Sequence, residues 1–313
     1  RIKDGSSAQA RTIADTVGAV SPHGVFLGVQ SSTDLRVISD GSVDCVVTDP
    51  PYAGNVNYSE LADFFYVWLR LGLAERYSAF SPEFTPKAEE IITNPTREKS
   101  GRDFEEGLTQ AFRECRRVLK EDGTLVFTFH HAEGSAWESL LSAVCNAYFE
   151  VQAVYPIHGE AESSLHLMDK QAISYDLIHV CRKRLIGATV EKRQWAGVRQ
   201  EIRRRAREEI RAIEAGRYGA EPLSPSDVNI ILIGKCLELY SRHDGAVMDQ
   251  DTPFELRDAL KEIRGLVDQL VTTDRPLPSE LEDIDAESRV YFLALCDRKE
   301  VKTDEVHKVT RGI

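Results

Sequence analysis

One segment, VDCVVTDPPYAGNVNYSELADFFYVWL (residues 43–69), decides how the rest of the chain is read. Val43 to Val47 is a short β-branched run, the pattern of a buried strand. It stops at Asp49-Pro50-Pro51-Tyr52, because two successive prolines fix φ and offer no N–H to a sheet ladder. The strand therefore ends in a stiff loop with a carboxylate on one side and an aromatic ring on the other, a combination that suits a site. A tight turn that merely ends a strand, with Asp49 capping the next segment, is the simpler alternative.

Outward from this segment, helices and strands alternate. GVFLGVQ (residues 24–30) reads as a strand and residues 6–18 as a short helix. Ser59 to Leu73 carries apolar residues at helical spacing, with Phe64 and Trp68 read as core. After a polar, proline-containing stretch, Leu108, Phe112, Cys115 and Leu119 fall on one helical face, Asp122-Gly123 reads as a turn, and Leu125 to Phe129 as a strand. AWESLLSAVCNAYF, EVQAVYPI and AISYDLIHVCRK supply a further helix and two strands. The alternation predicts an α/β, doubly wound sheet with ligands beyond the carboxyl ends of its strands, where Asp49 and His130 both fall. The expected division is a catalytic domain over 1–184 with a helical insertion at about 53–105, a basic helical connector over 185–221, and a helical region over 222–313.

Composition narrows the function. The 313 residues are 42% hydrophobic and 29% charged, ordinary for a globular chain, and the net charge of −12 argues against nonspecific adhesion to nucleic acid or anionic membranes. No run approaches the ~20 apolar residues of a membrane-spanning helix, and a cytoplasmic location is expected. The six cysteines are scattered without a CxxC pair, so buried reduced thiols are expected and a metal site is not. The chain opens on Arg1 rather than Met and is read as a piece of a longer reading frame.

Asp49-Pro50-Pro51-Tyr52 at a strand end resembles the catalytic motif of the S-adenosyl-L-methionine (SAM)-dependent amino-methyltransferases. With its flanks, and with EDGTLVFTFHH and AISYDLIHVCRK, the chain is similar to the large adenine-specific DNA methylases over most of residues 24–184. The resemblance implies a Rossmann-like methyltransferase sheet, SAM as methyl donor, no metal, DNA as partner, and service in a restriction-modification or phage-defence system. It implies adenine N6 as the target; cytosine N4 or RNA, and a non-catalytic DNA-binding or partner subunit, remain the alternatives.

The chemistry suits the residues. An exocyclic amine on a base is a poor nucleophile because its lone pair is delocalised into the ring. Acceptors aimed at its N–H protons, the Asp49 carboxylate and the Pro50 carbonyl, localise that lone pair, while Pro51 stiffens the loop and Tyr52 offers a ring for a flipped base. Asn55, Asn57, Tyr58, His130 and His131 are candidate substrate contacts; solvated loop residues are the plainer account. His158, Glu160 and Glu162 are weak metal candidates. The arginines from Arg199 to Arg211 either clamp DNA phosphates or form a solvated helix of ion pairs.

The glycine-rich turn with which these enzymes hold SAM has no counterpart here. The sheet is therefore expected to be incomplete at its N-terminal half, with weak or no SAM binding, unless an upstream segment or partner chain supplies that half. Ser31, Ser32 and Asp34, in the loop before the catalytic strand, are the candidate SAM contacts beside Asp49.

Overall fold

A computed structural model describes residues 30–273, apart from 132, 160–174, 186–190, 220–222 and 244, together with residues 13, 14, 17, 20 and 24–28. In chain order the elements are β1 (Ile13–Ala14), β2 (Val25–Phe26), β3 (Val43–Thr48), α1 (Tyr58–Leu73), α2 (Gly101–Val118), β4 (Leu119–Phe129), α3 (Gly134–Asn146), β5 (Phe149–His158) and β6 (Tyr175–Lys183). Beyond them come β7 (Arg193–Gln194), α4 (Trp195–Glu214), α5 (Pro225–Ser241), β8 (Val247–Asp249), β9 (Thr252–Pro253) and α6 (Leu256–Thr273).

The central sheet has the order β3-β4-β6-β5. β3 runs parallel to β4, and β6 is antiparallel to both of its neighbours. The protein is thus mixed α/β, with one reversed strand where alternation alone suggested a parallel set. β3 is an edge strand among the described residues, leaving one side of its backbone unpaired.

Helices cover one face of this sheet. α2 opens on a capping box, Ser100 with Asp103, that satisfies its first backbone donors. It buries Phe104, Leu108, Phe112 and Cys115 at helical spacing, and Phe112 stacks on Phe127 of β4 at 5.3 Å. Trp137 of α3 meets Phe129 edge-on at 5.1 Å. Gly234 lets the α5 backbone lie close on β5 and β6, since a Cβ there would come within 2.7 Å of Leu177 and 3.0 Å of Val154. Phe127, Phe129, Leu177 and Val154 all sit on the same sheet face by register, and each is at most 1% exposed.

The other face is less covered among the described residues, with Lys235 of α5 reaching over the Tyr155 ring at its β5 edge. Val47 pairs with Val126 and Val126 with Val180, and Ile178 lies opposite Tyr155. Val47 is 76% exposed and Tyr155 56%, and the other three are half-buried. The doubly wound expectation is therefore met on one side only.

Several local readings change. Leu119 does not continue α2; it opens β4, which runs through Asp122-Gly123 as an irregularity, with Val43 paired to Leu119 but Cys45 to Thr124. Ile13–Ala14 is a strand inside the stretch read as a helix, pairs in parallel with β2, and β2 is only two residues long; the rest of that stretch lies almost wholly outside the described residues. Phe64 and Trp68 are not core: they are 67% and 69% exposed. Trp195, Val198, Ile202 and Ala206 of α4 are buried in one hydrophobic cluster with Phe127, Phe129, Val154 and Leu177 of the central sheet. Cys115, Cys145, Cys181 and Cys236 are buried thiols, while Cys45 is an exposed one.

Candidate active site

The proline pair does what its chemistry dictates. β3 ends at Thr48, Asp49 comes next and is exposed, and Pro50 is buried beneath the loop. The adjoining turn is strained: Ala53 has φ of 49°, a left-handed conformation that a non-glycine residue adopts at a cost of about 1–3 kcal/mol. Ala53 is held there by burial and by the Thr93 N–H donating to its carbonyl. At Gly54 a side chain is excluded, because a Cβ would lie 2.6 Å from Thr93 Oγ1.

Parallel pairing of Thr48 with Phe127 sets Asp49 beside Thr128, whose hydroxyl donates to Asp49 Oδ1. A carboxylate has about four lone-pair sites, so this bond orients Asp49 and leaves acceptor capacity for an amine. The Tyr52 hydroxyl donates to Asp176 Oδ2 at 2.9 Å. Asp176 enters β6 beside the end of β4, and its Oδ1 lies 3.4 Å from His130 Nδ1. The Tyr52 ring meets Phe129 at 5.3 Å and His130 at 4.7 Å, both edge-on.

The electrostatics follow from this packing. Burial pushes the Tyr52 phenol far up, reinforced by the Asp176 and Asp49 carboxylates, so it stays a neutral donor. Burial also raises Asp176, but the His130 ring and the Tyr52 hydroxyl outweigh it and leave the carboxyl below its ordinary value. Tyr58, 44% exposed, is raised first by desolvation and then by the Asp49 charge.

Behind the loop lies a cleft of about 460 Å³, within the range of small-molecule sites. Asn55 and His131 line it, with Gly54, Thr93, Glu133 and Ser135. His131 Nδ1 accepts the Glu133 backbone N–H at 3.0 Å, so the neutral ring carries its proton on Nε2. Burial lowers the His131 pKa and favours that neutral form.

The sequence candidates thus divide. Asp49, Pro50, Pro51, Tyr52, Tyr58 and His130 gather around the strand ends, and Asn55 and His131 share the cleft. Asn57 is turned to the neighbouring segment, accepting from Asn94 Nδ2 at 3.1 Å. Ser31, Ser32 and Asp34 fall at the opposite end of β3. Their turn is pinned to the end of α2 by Leu35 N–H donating to Glu114 and by Arg117 donating to the Leu35 and Ile38 carbonyls. Asp34 is already engaged by the Arg36 guanidinium through three nitrogen-to-oxygen contacts of 2.8, 2.9 and 2.6 Å. Ser31, Ser32 and Asp34 are thus separated from Asp49 by the length of β3. His158 ends β5 with its ring 5.4 Å from Tyr175, and Glu160 and Glu162 lie outside the described residues. No metal-holding cluster is found among the described residues. Sequence reasoning missed Thr128 and Asp176; an acid inside the apolar strand AISYDLIHV was the available signal for Asp176.

α4 bears the basic run, and much of it is paired: Arg204 with Glu208 at 2.7 Å, Arg205 with Glu208 at 3.8 Å, and Arg199 with Glu262 at 3.3 Å. Among the described residues no helix is long and apolar enough to cross a membrane.

No curated protein matches the chain. Residues 43–209, just over half of the chain, match the family model described as DNA methylase, whose members act on adenine N6 or cytosine N4. The match begins at the first residue of β3 and takes in the Asp49 loop, the whole central sheet and most of α4. A strand-end acid, a tethered tyrosine and the adjoining cleft sit inside that span, and this chain belongs to the DNA methylase family, with DNA as its substrate and SAM as the methyl donor that the family implies.

Proposed function

We propose that the chain carries the amine-handling half of an adenine-N6 DNA methyltransferase. The observation behind the reading is the Asp49 carboxylate, fixed by Thr128 at the end of β3, next to a tyrosine tethered at 2.9 Å. An adenine turned out of its duplex would set its amine between Asp49 and the Pro50 carbonyl, with Tyr52 against its ring. The two acceptors orient the amine and balance the positive charge that grows on it, and Asp49 then takes or relays the departing proton. Asn55 and the Nε2 proton of His131 are offered to the base from the cleft, and His130 borders the ring of Tyr52. Target choice, adenine over cytosine, rests on Asp rather than Ser at the head of the motif, and service in restriction-modification or phage defence on the family resemblance alone.

The donor half is proposed to come from further polypeptide that adds strands to the free edge of β3 and covers the sheet's more exposed face. α1 supports this. Its inward residues are polar and bonded to the segment after it: Ser59 to Glu90 at 2.6 Å, Asp63 to Thr85 at 2.6 Å, Tyr66 to the Pro82 carbonyl at 2.7 Å and Arg70 to the same carbonyl at 2.8 Å. Its outward residues are apolar: Leu61, Phe64, Phe65, Trp68 and Leu71 are each more than 60% exposed. That is amphipathicity turned inside out, the signature of a helix covered by something else. The separation of Ser31, Ser32 and Asp34 from Asp49 equally suits a non-catalytic DNA-binding subunit, which is the second reading.

Mass spectrometry of nucleosides from host DNA decides between them, with the longest available reading frame expressed as wild type and as Asp49→Ala. N6-methyladenine that disappears in the variant is the expected result. N4-methylcytosine would move the target to the other amine, and no modified base from either would favour the binding subunit.

A further inference from the structure

We propose that Asp176 is a positioning residue that holds the Tyr52 ring in one attitude as the platform for the extruded base; this rests on reading Asp49 to Tyr52 as the amine site. Tyr52 and Asp176 are 124 residues apart in sequence and meet only because the antiparallel β6 brings its first residues beside the end of β4. The contact is specific. Asp176 Oδ2 accepts the Tyr52 hydroxyl, Oδ1 accepts the Leu177 N–H at 2.9 Å, and His130 stands 3.4 Å from the same oxygen.

Stacking alone needs only a ring, and phenylalanine supplies one. A hydroxyl with a dedicated acceptor does something more: it stops rotation of the ring about its side-chain bonds, while Phe129 and His130 close two further sides. The carboxylate is 18% exposed on a strand whose next residues are apolar, a placement that costs free energy and contributes nothing to the hydrophobic core. Asp176 touches no reacting atom in this arrangement; it acts through Tyr52.

A double-mutant cycle on the form of the protein that methylates DNA separates positioning from folding. Tyr52→Phe and Asp176→Ala are each expected to lower the methylation rate roughly tenfold, the value of one hydrogen bond to a charged group. Because both remove the same bond, the double variant is expected to be no slower than the slower single one. Asp176→Asn can keep the Leu177 N–H on its oxygen and donate its amide N–H to the Tyr52 hydroxyl oxygen, so the tether survives in weaker form and the variant is expected to be faster than Asp176→Ala. Multiplicative losses, roughly a hundredfold in the double variant, would overturn the proposal, as would equal loss in Asp176→Asn and Asp176→Ala with none in Tyr52→Phe. Methylation that depends on Asp49 but not on Asp176 or the Tyr52 hydroxyl would sink this inference and leave the amine site standing. Methylation insensitive to Asp49→Ala would remove both.

Discussion

The two faces of the central sheet are built from the same kinds of residue and meet different fates. On one, Phe127, Phe129, Val154 and Leu177 are buried under α2, α3 and α5. On the other, Val47, Val126, Ile178 and Val180 alternate with them along the same strands, Val47 exposed and the other three half-buried. Strands read as near-continuous apolar runs belong in sheets covered on both sides. The covered face stabilises this chain; the other face, the outer edge of β3 and the outward side of α1 are uncovered among the described residues, and the proposed donor-side polypeptide would sit there. The Asp49 loop lies at the junction of the two.

The sharpest contrast is in stability. Phe127→Ala empties a site at 1% exposure and is expected to cost about 3–5 kcal/mol, whereas Val47→Ala, at 76% exposure on the other face, is expected to stay within about 0.5 kcal/mol. Denaturant unfolding of the two variants measures both. Equal losses would mean that the other face is packed in solution and would break the comparison.

A pH titration of stability sharpens it next. His179, on the covered face, is stacked on Phe127 at 4.8 Å, and burial pushes its pKa down to about 4 from an ordinary 6.5. The unfolded chain therefore binds a proton between those values that the native chain refuses. Its contribution is fully present above about pH 6.5, is lost as the pH falls toward 4, and amounts to roughly 3 kcal/mol. His179→Phe is expected to flatten that slope. An unchanged slope in the variant would place the titrating group elsewhere, with the lowered His131 and His243 next in line.

Much of this is legible in the sequence. Pro50-Pro51 announces the end of β3 because ring geometry acts locally, and the spacing of Phe104, Leu108, Phe112 and Cys115 announces α2 because a buried helix face is periodic. What stays hidden is set by distance or by context. Asp176 reaches Tyr52 through strand pairing, which spacing does not encode. Phe64 and Trp68 carry the pattern of a core helix, and only the structure shows that their neighbours Ser59, Asp63, Tyr66 and Arg70 hold the helix by its polar side. Ser31, Ser32 and Asp34 adjoin the catalytic strand in sequence, yet the length of β3 separates them from Asp49.

The most direct test is a calorimetric titration of SAM into the 313-residue chain. If the donor half belongs to a surface that covers β3 and α1, no saturable heat develops at millimolar ligand. Saturable binding in the micromolar range would contradict that, and would place a donor pocket within this chain's own residues.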